Sequence, residues 1–194
     1  MEEERSNIER RDFYEKLIAT DAGIYGAAPE EIAYFPLWEW FLYRIERGSK
    51  ILDVGCGTGR FAKRAIDCGC SVIGVDFSAV AVEKARAYIP AAKFICLDLE
   101  DPNDDLFKIL DYDVLVLSEI LEHVEDDLGL LNQIPAGKQL FLTVPNFKGE
   151  GHTRWFDSEK DMRKRYAHTL WICDTTTHER WFGLYGYKKC RSTI

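Results

Sequence analysis

The sequence lacks any apolar run of the about 18–20 residues that a helix needs to cross a bilayer. Three of its first five residues are glutamates, and no apolar stretch of the signal-peptide type follows them. These absences predict a cytoplasmic protein that does not enter a membrane.

Paired cysteine motifs are also missing. The chain has six cysteines, and no two of them form a C-x-x-C pair, so a structural zinc site is disfavoured. Because no export signal is visible, we expect the thiols to be reduced rather than joined in disulfides.

Basic residues are fewer than acidic ones. The 194 residues include 25 lysines and arginines against 33 aspartates and glutamates, a net charge of −8. An acidic chain repels phosphate backbones, which disfavours a nucleic-acid partner. The dense basic run 160–165 is interpreted as the solvated face of a helix.

Apolar strands alternate with helices from Lys50 onward. Helices are expected at 61–68, at 78–87, from the fourth strand to about 131, and from 157 or 158 to 166. This alternation predicts an α/β fold with a doubly wound, mostly parallel sheet and helices on both faces. The expected strands are 51–54, 71–75, 94–97, 113–117 and 139–144, followed by a terminal hairpin of 169–175 and 179–187.

The N-terminal quarter has a different pattern. One amphipathic helix is expected at 8–19 and a second from Pro29, where proline followed by two glutamates suits a helix start. Residues 1–48 are therefore predicted to form a helical lid or cap, and residues 49–194 the core of a single domain. Ordinary packing of the aromatic side chains against the sheet is the alternative to a lid.

The first strand ends in a glycine-rich loop. Asp53 precedes Gly55, Cys56, Gly57 and Gly59, and three glycines in five residues let the backbone turn sharply and approach a ligand closely. The third glycine comes one residue earlier than in the dinucleotide fingerprint. This favours a ligand other than a dinucleotide, although a plain glycine turn remains the alternative.

The next three strands also end in polar residues. Asp76 lies where an acid can bind both ribose hydroxyls. Asp98 can accept a hydrogen bond from the amine of adenine, while Phe77 and Leu99 pack on the ring. The fourth strand ends at Ser118, directly before Glu119.

Together these segments resemble the cofactor half of the class I S-adenosylmethionine-dependent methyltransferases. The similarity covers about two-fifths of the chain closely. It implies seven strands with the last antiparallel. It also implies S-adenosylmethionine as cofactor, with Gly55, Gly57 and Gly59 near its methionine and ribose parts. Asp76 would lie at the ribose, and Asp98 and Leu99 would frame the adenine. The matching segments are 51–59, 74–78, Asp98 and 118–124.

Two segments outside this frame are candidates for the acceptor end. Glu119, Glu122 and His123 are expected to share one face of the helix after the fourth strand. After the fifth strand, His152 could act as a base and Arg154 could clamp an acidic acceptor. We predict Glu119, His123, His152 and Arg154 as the catalytic residues and assign no metal.

The E-x-x-E-H spacing with a later histidine leaves an alternative open. It is similar to the metal-dependent 2′-O-methyltransferases of small RNA 3′ ends and to the quinone-ring O-methyltransferases. That resemblance implies a divalent cation held by Glu119, Glu122, His123 and His152. A purely structural role for the motif is the other interpretation.

The sequence thus predicts a methyltransferase that acts on an oxygen or nitrogen atom of a small-molecule acceptor. No long insertion follows the fifth strand, where a large recognition domain would be expected. A nicotinamide-dependent oxidoreductase and a non-catalytic S-adenosylmethionine-binding partner protein are the rival hypotheses. No sequence pattern assigns an oligomeric state.

Overall fold

The computed structural model describes residues 12–99 and 106–190, and within them seven strands form one sheet in the order β3-β2-β1-β4-β5-β7-β6. All neighbouring strands are parallel except β7, which runs antiparallel to both β5 and β6. The predicted fold class is confirmed. The strands are β1 (Lys50–Val54), β2 (Ser71–Asp76), β3 (Lys93–Cys96), β4 (Val114–Ser118), β5 (Gln139–Pro145), β6 (Leu170–His178) and β7 (Trp181–Lys188).

Helices connect the strands on both faces of the sheet. Short 3-10 turns at Gly23–Tyr25 and Pro29–Glu31 lie between the first two helices. The helices are α1 (12–19), α2 (Phe35–Leu42), α3 (Arg60–Asp67), α4 (Ala79–Tyr88), α5 (Leu106–Ile109), α6 (Asp127–Gln133) and α7 (Glu159–Tyr166).

The central strands are buried on both faces, which explains their unbroken apolar runs. Ile51 and Leu52 are adjacent in β1 and fully buried, yet they belong to two separate cores, because successive side chains of a strand point to opposite faces. On the α2 side, the ring of Phe41 stacks on Phe141 at 4.1 Å between centroids. This stacking fixes α2, and with it the N-terminal segment, against the sheet.

Two helix predictions were wrong. Residues 119–126 form turns rather than helix, and α6 begins only at Asp127. Glu119 adopts a left-handed φ of 58°, and the Asp126 side chain caps α6 by accepting from the Gly129 amide. From Pro29 the chain forms one 3-10 turn, and the helix proper starts at Phe35.

Apart from α5, which was not predicted, the other elements agree closely with the sequence. Ser78 and Ser158 cap α4 and α7 through their hydroxyls, and the terminal hairpin is present. The first predicted helix is observed at 12–19, while 8–11 lie outside the described residues. No helix in 12–99 or 106–190 has the length and apolar character to span a membrane. All six cysteines fall within these ranges, and none of them forms a disulfide there.

Candidate cofactor and acceptor site

A cavity of about 340 Å³ opens at the carboxyl ends of β1, β2, β3 and β4. Parallel strands end at the same edge of a sheet, so their polar exit residues converge there. Of the predicted cofactor and catalytic residues, only Gly59 and Arg154 do not line this cavity. Those that do are Asp53, Gly55, Cys56, Gly57, Asp76, Phe77, Asp98, Leu99, Ser118, Glu119, His123 and His152.

The glycine loop forms one wall of the cavity in a conformation that other residues rarely adopt. Gly55 has a φ of 72°, and a Cβ atom there would lie 1.9 Å from Cδ1 of Ile120. Gly59, at φ 83°, caps the start of α3, and a Cβ there would lie 3.1 Å from Ile89. Gly59 therefore serves helix packing rather than the ligand contact predicted for it.

Asp76 ties the end of β2 to the glycine loop. Its Oδ2 accepts from the Gly57 amide at 2.8 Å and its Oδ1 from the Ser78 amide at 2.9 Å. Burial raises the pKa of this carboxyl to about 6 despite the two hydrogen bonds. Each oxygen accepts one bond from these amides, which leaves lone pairs for a ligand hydroxyl.

Asp53 lies at the end of β1 and is 2% exposed. Its Oδ2 receives no hydrogen bond from the described residues. Burial, together with the nearby charge of Asp76, raises the pKa of Asp53 to about 8. The ionised form of such a buried carboxyl is stabilised by any ligand that brings a hydrogen-bond donor or a positive charge.

Glu119 is held firmly at the end of β4. Thr143 Oγ1 donates to its Oε1 at 2.8 Å, and Trp181 Nε1 donates to its Oε2 at 2.7 Å. Burial raises the pKa of Glu119 to about 7, although these hydrogen bonds oppose the shift.

Glu122 is fully buried beside Glu119 and is the least satisfied acid of the site. Neither of its oxygens accepts a hydrogen bond from a donor group in 12–99 or 106–190. Burial, and then the charge of Glu119, raises the pKa of Glu122 well above the ordinary range. When Glu122 is protonated it can share that proton with Glu119.

Two histidines lie next to Glu122. His123 Nε2 is 3.8 Å from Glu122 Oε1, and His123 Nδ1 is 3.0 Å from the Gly151 carbonyl. His152 Nδ1 accepts from the Gly149 amide at 3.1 Å, and burial lowers the pKa of this imidazole. One donor atom from each of Glu122, His123 and His152 lies within 4.8 Å of the others, which is close enough to surround a cation. This group does not include Glu119.

Arg154 does not reach the cavity, so the predicted clamp on an acidic acceptor is wrong. Its guanidinium donates to the carbonyls of Leu121, Val124 and Glu125 and lies 3.4 Å from Asp127. Through these hydrogen bonds, the Arg154 side chain stabilises the turn that carries Glu122 and His123.

The N-terminal segment supplies cavity residues that the sequence reasoning missed. Tyr34 packs between Trp38 and Trp181, with ring centroids 5.5 and 5.6 Å away, and its pKa is raised by burial and by the carboxyls of Glu119, Glu122 and Asp53. The signal available was the density of aromatic residues between 25 and 43. The further lining residues not predicted include Tyr14, Ile18, Ile24, Ile32, Thr58, Arg60 and Ile120.

Hydrogen bonds join this segment to the core at several places. The Tyr25 carbonyl accepts from Thr58 Oγ1 at 3.1 Å and from Arg60 at 2.9 Å. Lys84 donates to the carbonyl of Ile18 at the end of α1 at 2.7 Å. Side chains between residues 14 and 34 therefore form part of the cavity wall.

Comparison with known proteins places these features in a family. A family model of a methyltransferase domain matches residues 27–191. The ubiquinone biosynthesis O-methyltransferase of Coxiella burnetii is 30% identical over 117 residues, which are 55% of this chain and 49% of that protein. The one from Thiobacillus denitrificans is 36% identical over 86 residues, 43% of this chain and 37% of that protein. The chain spans about half the length of the curated relatives it matches.

Solved structures share the fold over more of the chain. The 1,6-didemethyltoxoflavin-N1-methyltransferase of Burkholderia thailandensis, bound to 1,6-didemethyltoxoflavin and S-adenosylhomocysteine, superposes with a TM-score of 0.74 at 16% identity, covering 97% of this chain and 90% of that one. The N-methyltransferase NodS of Bradyrhizobium japonicum, in complex with S-adenosylhomocysteine, gives 0.63 at 14% identity, covering 81% and 89%.

Proposed function

The chain belongs to the methyltransferase-domain family, within the class I S-adenosylmethionine-dependent superfamily, and on that basis we propose that it transfers the methyl group of S-adenosylmethionine to an oxygen or nitrogen atom of a small-molecule acceptor. One observation carries the proposal: four successive strands end in polar side chains that line a single cavity beside the glycine loop.

The cofactor would lie along the ends of β1, β2 and β3. Asp76 would accept from the ribose hydroxyls with the lone pairs that its two amide bonds leave open. Asp98, with Phe77 and Leu99, would frame the adenine. Asp53 would receive the cationic amino group of the methionine part, which supplies the donor its buried oxygen lacks.

The acceptor would lie at the end of β4, among Ser118, Glu119, Glu122, His123 and His152. S-adenosylmethionine supplies an activated methyl group, so the protein mainly has to hold the two reactants in line. Such positioning contributes up to about 7–11 kcal/mol in the best cases. The cavity is small, and residues 12–34 would act as its lid, which supports an acceptor of small size.

The relatives support both atom types within the proposal. The curated relatives are named as ubiquinone biosynthesis O-methyltransferases, and the two structural neighbours as N-methyltransferases. A nucleic-acid acceptor is disfavoured by the net charge of −8 and by the acidic cavity wall. A cytoplasmic location stays a prediction of the sequence.

Calorimetric titration with S-adenosylmethionine, S-adenosylhomocysteine and NADH tests the proposal. We expect micromolar binding of both sulfur compounds and none of NADH. Binding of NADH alone would favour the oxidoreductase hypothesis. If none of the three compounds binds, the cofactor assignment is contradicted.

Turnover separates an enzyme from a non-catalytic binding partner. An acceptor screen with radiolabelled S-adenosylmethionine should release S-adenosylhomocysteine in the presence of one acceptor class. Tight cofactor binding without turnover on any class would instead support the binding-protein hypothesis.

A further inference from the structure

Building on the proposed binding of S-adenosylmethionine, we propose that Tyr25 and Arg60 form the site for the carboxylate of its methionine part. The Tyr25 hydroxyl and the Arg60 guanidinium would each donate a hydrogen bond to that carboxylate. The N-terminal segment would thereby supply part of the cofactor site, which the sequence predicts only at the strand ends and the glycine loop. The proposal rests on the proposed function and adds two residues to it.

Two hydrogen-bond donors of the cavity wall have no acceptor among the described residues. The Nε atom of Arg60 is buried and makes no hydrogen bond within 12–99 and 106–190. The hydrogen bonds of Tyr25 in the same ranges use its backbone, and its hydroxyl donates to none of these residues. A donor buried without an acceptor costs free energy. Because both side chains line the cavity, a bound ligand can supply the missing acceptor.

The two side chains are held next to each other through one backbone carbonyl. Arg60 Nη2 donates to the carbonyl of Tyr25 at 2.9 Å, and Thr58 Oγ1 donates to the same oxygen at 3.1 Å. The Arg60 guanidinium also lies 4.6 Å from the centre of the Tyr88 ring. A Cβ atom at Gly57 would lie 3.4 Å from Cε1 of Tyr25, so the tyrosine ring lies against the bare backbone of this glycine. These contacts fix Tyr25 beside the loop that carries Arg60.

The charges of the cavity wall leave one place for a carboxylate. Among the described residues that line the cavity, Arg60 alone is a lysine or arginine. Like charges repel strongly in a poorly hydrated space, so a ligand carboxylate is expected at Arg60 and away from the acids. The acidic lining residues are Asp53, Asp76, Asp98, Glu119 and Glu122.

The unsatisfied groups at the two ends of segment 53–60 match an amino acid in its zwitterionic form. Asp53 Oδ2 is a buried acceptor with no donor, and Arg60 Nε is a buried donor with no acceptor, among the described residues. The methionine part of the cofactor carries an ammonium and a carboxylate on the same carbon atom. Asp53 would therefore take the ammonium, and Arg60 together with Tyr25 would take the carboxylate.

The Tyr25 hydroxyl keeps its proton at neutral pH. Burial, and then the charges of Asp76 and Tyr14, raises the pKa of this hydroxyl well above its ordinary value. A protonated phenol donates one hydrogen bond and brings no negative charge. Tyr25 is therefore suited to bind a carboxylate together with the guanidinium of Arg60.

Decarboxylated S-adenosylhomocysteine is the probe that isolates the carboxylate, because it keeps the adenosine, the sulfur and the ammonium group. By calorimetry, the wild-type protein should bind S-adenosylhomocysteine more than about ten-fold more tightly than the decarboxylated compound. In Tyr25→Phe this preference should fall at least about three-fold, while the affinity for the decarboxylated compound stays within about two-fold. In Arg60→Met the preference should fall further, because the positive charge is lost.

Two matched variants separate the carboxylate from support of the N-terminal segment. Thr58→Val removes the second hydrogen bond to the Tyr25 carbonyl without removing a charge, so any loss of affinity should be equal for the two compounds. Tyr43→Phe is the same change as Tyr25→Phe at a tyrosine that is 90% exposed, and both affinities should equal those of the wild type. If Arg60→Met does not fold, Tyr25→Phe decides alone, because it removes a single hydroxyl.

Three outcomes would overturn the assignment. The first is a wild-type preference for S-adenosylhomocysteine below about ten-fold. The second is a preference that Tyr25→Phe leaves unchanged. The third is a preference that falls as much in Thr58→Val as in Arg60→Met, which would limit Arg60 to holding the Tyr25 carbonyl. Failure of the wild-type protein to bind either compound would instead count against the proposed function.

Discussion

Two buried acids, one in each half of the cavity, are held in different ways. In the cofactor half, at the ends of β1 to β3, Asp76 is fixed by amide donors of the glycine loop and of the start of α4. In the acceptor half, at the end of β4, Glu122 is buried and accepts no hydrogen bond from a backbone amide of the described residues. The carboxyl of Asp76 is therefore fixed by backbone donors, whereas that of Glu122 is held next to Glu119 and His123 without one.

The largest loss of stability should come from removing Asp127, the buried carboxylate that supports the acceptor half. Asp127 is buried between Arg165, at 2.6 Å, and Arg154, at 3.4 Å, and also accepts from Tyr166. Asp127→Ala leaves two arginines without their carboxylate and should lower the free energy of unfolding by about 3–5 kcal/mol. Urea unfolding measures this loss.

Arg165→Ala is the matching control. Its side chain is 37% exposed, and Arg154 remains beside Asp127 in this variant, so the loss should be clearly smaller. Equal losses in the two variants would mean that the acceptor half does not depend on the buried carboxylate.

A smaller effect is expected in the cofactor half. Asp76→Ala removes an acceptor for the ribose hydroxyls and should weaken the binding of S-adenosylhomocysteine by about 1–3 kcal/mol in calorimetry. Asp67→Ala, at the exposed end of α3, should leave the affinity unchanged. A folded Asp76→Ala protein of wild-type affinity would exclude Asp76 from the cofactor site.

The smallest expected effect is a gain in the free energy of unfolding when Asp53 is replaced. Its pKa is raised from 3.8 to about 8 in the folded chain, so the folded state holds a proton that the unfolded state has lost. The contribution of Asp53 to stability is therefore greatest below pH 3.8 and decreases as the pH rises toward about 8. Asp53→Asn lacks this penalty and should be about 0.5–2 kcal/mol more stable than the wild type at pH 8, with weaker cofactor binding.

Unfolding curves at pH 5 and pH 8 test the sign. The stability advantage of Asp53→Asn should grow between these two values. An advantage that shrinks with rising pH would mean that Asp53 is charged and paired in the folded chain.

The cofactor half could be predicted from sequence because its parts are local. The residues 53–57 form one loop, and each following strand places its acid at the same sheet edge by the geometry of parallel strands. The number of strands and the antiparallel β7 agreed with what the resemblance implied. Gly59 was the exception, since its packing against α4 depends on a contact distant in sequence.

The acceptor half was predicted less well because it is assembled from distant segments. The helix expected across 119–126 is absent, since Glu119 turns into a left-handed conformation and bonds to Thr143 and Trp181 from two other strands. Glu122 and His123 come together through a turn that Arg154 braces from 30 residues further on. No periodicity within the segment carries that information, and Tyr34 reaches the site from still further away.

The hydrogen bonds of two tryptophans have an optical consequence. Trp38 Nε1 donates to Ser118 Oγ at 2.9 Å, and Trp181 Nε1 donates to Glu119 Oε2, so both indoles end at the polar wall of the acceptor half. Indole emission responds to nearby charge and to hydration. The intrinsic fluorescence of the protein should therefore serve as a label-free signal for acceptor screening. The glycine loop contains no tryptophan, so the signal should report mainly on the acceptor half.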